Sequence, residues 1–157
     1  MGIKPRFKQA EIRQRLDRFM DVIHNRIISR MQYLGEQCVT HARLIPKDVG
    51  FEDQTGNLRS SIGYMIFNNG NSMTENYEQV AGGTEGMERG RALAREAGRK
   101  FPKGFLLVVT AGMDYAIHVE SKGRDVLASA ENLAEREWPR MRDELTRNVA
   151  KAMQTLR

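Results

Sequence analysis

A metal centre or an acid–base site in this chain would have to draw on His24, His41 and His118. His24 and His41 lie far apart on one helical stretch, too distant to share an ion. No H-x-x-x-H, C-x-x-C or H-E-x-x-H spacing occurs. His118 and Glu120 fall two apart in a stretch of strand-like alternation, which predicts one shared strand face. A pair alone is a polar outer face, not a catalytic constellation. Cys38, the single cysteine, sits on an apolar helical stripe where a small core side chain is expected in preference to a nucleophile. Without a second cysteine there is no internal disulfide, which fits a reducing cytoplasm. Ser60-Ser61 lacks the G-x-S-x-G elbow, and Gly82, Gly83 and Gly86 lack the order of a phosphate loop. Trp138, next to Pro139, reads as core packing before it reads as a partner anchor. No catalytic set, metal or cofactor is expected.

Charge carries more information. The 157 residues have a net charge of +5. Residues 1–30 hold eight Lys/Arg against three Asp/Glu, and residues 31–86 hold three against seven. Residues 87–104 hold six against two, and the remainder balances at eight against eight. Opposite patches on one small protein suit head-to-tail contact between copies, and the basic segments also suit weak nucleic-acid binding. In the second segment Arg89, Arg91, Arg95, Arg99, Lys100 and Lys103 are the candidate contacts, to phosphate or to a neighbour's acidic face. No aromatic interleaving for base stacking accompanies them.

The elements that must position these residues follow from hydrophobic spacing. Residues 1–157 read as one α+β domain. A long helix over 8–45 carries Ile12, Leu16, Phe19 or Met20, Ile23, Ile27, Met31, Leu34 and Cys38 at steps of three and four. Pro46 stops it, and Gly35 is its natural breaking point. A small antiparallel sheet of about four strands is predicted over 55–120, with a basic insertion at 82–104. The strands are Leu58–Phe67, Met73–Val80, Phe105–Thr110 and Tyr115–Glu120, with the very apolar third strand at the sheet centre and helices on one face. Phe51 reads as exposed. A C-terminal helix over 125–156 is kinked or divided at Pro139. No apolar run is long enough to span a membrane, and the N-terminal residues have neither the apolar core of a secretory signal nor a myristoylation pattern.

Two stretches stand out. Pro46 and then T-G-N-L-R-S-S-I (Thr55–Ile62) form one, and Y-A-I-H-V-E-S-K-G (Tyr115–Gly123) the other. Set between terminal helices, they resemble the T-G-x-L-R-x-S-I and Y-A-x-x-V-E-x-G segments of the tail-completion, or head–tail connector, family of tailed bacteriophages. The chain departs from that pattern by an insertion over Val49–Gln54 and by Ser121-Lys122 before Gly123. The resemblance implies a non-enzymatic structural protein of the virion neck, made in the bacterial host cytoplasm. It also implies assembly as a ring, a hexamer or dodecamer, that meets connector, adaptor and tail-tube proteins, with DNA in the channel. Gly56 would then permit a turn, Leu58 and Ile62 would enter the core, and Arg59 and Ser61 would point outward. Arg59 and Glu120 join the basic residues as candidate interaction positions. The alternative is a basic nucleic-acid-binding module using residues 1–30 and 87–104.

Overall fold

A computed structural model describes residues 8–154. The order is α1 (Gln9–Arg43), α2 (Asn57–Ser61), β1 (Ile62–Asn68), β2 (Asn71–Asn76), α3 (Thr84–Arg99), β3 (Phe105–Ala111), α4 (Ala116–Ser121) and α5 (Ala128–Gln154). The α+β class, the long first helix and the C-terminal helix agree with the sequence reading. Leu156 lies outside the described residues.

The sheet has three strands, not four, in the order β2-β1-β3, with both pairings antiparallel. The hairpin between β1 and β2 turns at Asn69 and Gly70, whose φ values of 51° and 79° suit an Asn-Gly two-residue turn. The expected fourth strand is the helix α4: Tyr115–Glu120 alternates over too few residues to separate a strand from a single helical turn. The stretch from Leu58 also begins as helix, α2, and becomes extended only at Ile62. The two signature stretches are therefore not paired strands of one sheet.

The central strand is β1, with Ile62, Met65 and Ile66 fully buried. The more apolar β3 is an edge strand. Its unbroken run F-L-L-V-V-T reflects burial on two faces rather than a central place. Helices cover both faces of the sheet, in contrast to the single covered face expected. Ile62, Tyr64 and Ile66 pack under α1 and α5, joined by Phe105, Leu107 and Val109 of β3. Met65 and Phe67 face the other way, toward Ala94 of α3 and Tyr77.

Helix α1 is continuous through Gly35, where a Cβ would fall 2.7 Å from the Tyr64 ring. That glycine admits an aromatic ring rather than a break. Helix α5 likewise runs unbroken through Pro139. Pro139 and Glu135, whose carbonyl loses its partner, are both exposed, so water can satisfy the freed group. Phe51 is buried, not exposed, beneath the Arg59 guanidinium 5.4 Å from its ring centre.

Candidate interaction surfaces

The segment expected as a basic insertion at 82–104 contains the helix α3, which packs on the sheet. Gly86, Gly90, Ala94 and Gly98 recur every fourth residue and are the buried face of α3. Without side chains there, the helix comes within contact of backbone. A Cβ on Gly90 would lie 2.4 Å from the Ser61 carbonyl oxygen, and one on Gly98 2.4 Å from the Phe67 ring. The signal was present in the sequence as a four-residue repeat of small side chains. It does not register as hydrophobic periodicity because glycine adds no apolar area.

The first signature stretch is the surface on which α3 rests. Gly56 has φ 75°, as its turn role requires. Asn57 Oδ1 accepts the Gly86 N–H at 3.1 Å. Ser60 Oγ accepts the Val80 N–H at 2.7 Å and donates to the Val80 carbonyl at 3.2 Å. Ser61, expected to point outward, is fully buried and donates to the Leu58 carbonyl at 2.7 Å. Arg59, also expected outward, is half-buried. Its guanidinium donates to the Arg43 carbonyl at 3.2 Å, and its backbone N–H donates to Asp53 Oδ2 at 2.7 Å. Leu58 and Ile62 do enter the core.

The second stretch also has a local task. Glu120 Oε1 accepts the N–H groups of Leu127 (2.7 Å) and Ala128 (2.9 Å), the unpaired donors at the start of α5. A carboxylate there satisfies both donors and faces the positive end of the helix dipole. His118 is exposed on α4 and does not share a strand face with Glu120.

Much of the basic charge of α3 is matched within the chain. Arg89 pairs with Asp114 and with Glu85, which raises its already high pKa. Arg91 reaches Glu75 at 2.8 Å and lies over the Tyr77 ring, and Arg95 reaches the same carboxylate at 3.5 Å. Lys100 pairs with Glu96. Among the described residues, Arg99 and Lys103 have no carboxylate within ion-pair distance, and they flank the exposed Phe101. Behind this surface, Tyr77 Oη and Thr110 Oγ1 are 2.7 Å apart, and Thr110 donates to the Gly90 carbonyl at 3.3 Å. Burial pushes the Tyr77 phenol up to about 12.

An uncovered apolar stripe lies on α1. The helix of 35 residues is about 52 Å long. Its fully buried positions begin at Met31, and its most N-terminal ring contact with the sheet is His24 on Phe105, centroids 5.5 Å apart. Before that, Ile12, Leu16 and Met20 form a stripe at four-residue spacing and are 54%, 57% and 42% exposed. Helix α5 runs antiparallel beside α1, tied by Arg30–Glu144 (2.7 Å) and His41–Ser129 (2.9 Å). At the far end of the same helix pair, Tyr33, Glu36, Leu44, Ile45 and Leu133 are among the residues that line an open groove of about 520 Å³. No group of three or more His, Cys, Asp or Glu side chains is placed to hold a metal ion among the described residues. No described helix is long and apolar enough to cross a membrane.

No protein-family model matches this chain, and no curated protein or solved structure is significantly similar to it.

Proposed function

We propose that the protein is a non-enzymatic structural component of a phage or prophage head–tail junction, acting in tail completion by assembling as a ring. The observation that carries this reading is the apolar stripe Ile12-Leu16-Met20 on the part of α1 that runs beyond the sheet. Side chains of this size at helical spacing are ordinarily covered, and a run of them in solvent marks a contact with another chain. The groove lined by Tyr33, Leu44 and Leu133 is a different surface at the other end of the same helix pair. A stripe at one end and a groove at the other suit head-to-tail contact, which closes into a ring when the rotation allows. The partners would be connector, adaptor and tail-tube proteins, in the virion neck.

The nucleic-acid alternative is weaker, because Arg89, Arg91, Arg95 and Lys100 already face carboxylates of their own chain. Arg99 and Lys103 remain as candidates for DNA in a channel.

The test is the mass of the full chain in solution and its image by electron microscopy. A closed ring is expected. Leu16→Glu and Leu44→Glu should each open it, while Met73→Glu, on β2 at 49% exposure, should not. A protein that stays as single copies at millimolar concentration and binds neither connector nor tail-tube subunits overturns the proposal.

A further inference from the structure

The free edge of β3 has features that a lone protein ordinarily avoids. At its two ends, Asn69 N–H donates to the Gly104 carbonyl (2.9 Å) and Gly112 N–H donates to the Ser61 carbonyl (3.4 Å). These bonds and the intervening register place the even-numbered residues of β3 in hydrogen-bonded pairs with β1. The N–H and C=O groups of Phe105, Leu107, Val109 and Ala111 therefore point away from β1, along the open edge. The strand has seven residues without a charge, a proline or a bulge, and every residue from Phe105 to Val109 is only partly buried. Edges like this template pairing with another strand. The opposite edge, β2, is protected: it is polar, it carries Glu75, and a register shift interrupts its ladder with β1. This asymmetry disfavours β3-to-β2 pairing between copies.

We infer that β3 pairs antiparallel with β3 of a second copy about a two-fold axis at Val108, joining two three-stranded sheets into one of six strands. In that register Leu107 faces the second copy's Val109 and Phe105 faces its Ala111, so all the outward backbone groups find partners. The side chains of Phe105, Leu107 and Val109 stay on the face shared with α1 and α5 in both copies, so no apolar set is turned toward water. The ends also match. Lys103 of one copy comes opposite the second copy's Met113, one residue from its Asp114, whose side chain is 87% exposed beyond its bond to Arg89. The contact is isologous and independent of the arm-and-groove contact proposed above. It adds a two-fold axis to whatever that contact builds, so copy numbers should be even.

The experiment uses the full chain carrying Leu16→Glu, which disables the arm, and reads its mass against concentration together with residue-resolved amide exchange. A pair is expected, with the amides of residues 107, 109 and 111 protected at high concentration and losing that protection on dilution. The even-numbered amides should stay protected throughout. Val109→Pro removes an N–H that β1 does not use and should weaken the pair at least about tenfold, because a ladder bond is lost at each symmetric position. Lys103→Glu leaves the core untouched and should weaken it by about three- to tenfold, less so at high salt. Single copies at every concentration overturn the inference, as do odd-numbered amides that exchange freely within a pair. Rings that survive in Val109→Pro without Leu16→Glu, alongside lost pairing, would separate this contact from the proposed ring.

Discussion

Gly86 sits against Asn57 so closely that a Cβ built on the glycine would lie 1.9 Å from the Asn57 carbonyl oxygen. Helix α3 and the turn of α2 touch backbone to backbone, and the Gly86 N–H reaches the Asn57 side chain across the same contact. Glycine-to-alanine changes inside a helix ordinarily stabilise by about 0.5–1 kcal/mol. Here the sign should reverse. Gly86→Ala is expected to destabilise by about 1–3 kcal/mol, since backbone must move to admit one methyl group. Denaturant unfolding of the variant checks this, and an unchanged or raised midpoint would contradict the close approach.

Glu120 is expected to act on stability through α5. Glu120→Ala should cost about 1 kcal/mol by leaving the Leu127 and Ala128 donors without their acceptor. Glu120→Gln keeps an oxygen acceptor and should cost less. Equal losses in both variants, read by thermal unfolding, would point to the charge instead of the hydrogen bonds.

Tyr77 and Tyr64 should titrate late. Burial first, and then the Glu36 carboxylate that accepts its hydroxyl, pushes Tyr64 well above the ordinary phenol value. Tyr77 is pushed up to about 12, mainly by burial. A folded-state value above the unfolded value of about 10 means that folding favours the neutral phenol. That stabilisation is complete below about pH 10 and is lost as pH rises through about 12. Ultraviolet titration should show fewer than the four tyrosines ionising near pH 10 in the folded protein. Tyr77→Phe should remove one late phenol and cost about 1 kcal/mol by taking away the Thr110 partner.

Cys38 should be silent toward thiol reagents in the native state. It is 1% exposed, its Sγ lies 3.6 Å from the Ala130 carbonyl oxygen, and burial raises its pKa. Labelling should follow global unfolding. Rapid labelling under native conditions would mean that α1 and α5 separate there.

The sequence by itself determined the elements with long, regular spacing. The stripe from Ile12 to Cys38 specified α1, and Cys38 and Trp138 were legible as packing residues. Short stretches were not legible. Tyr115–Glu120 carries too few residues to distinguish period two from a helical turn, and Thr55–Ile62 changes from helix to strand within itself. Only the tertiary structure decided that β3 lies at an edge, that α3 covers the second face of the sheet, and that Arg91 and Arg95 spend their charge on Glu75. Spacing along a chain reports which side of an element is apolar. Which neighbour covers that side depends on contacts between residues distant in sequence, and in α3 those contacts are made by glycines, whose missing side chains leave no hydrophobic mark.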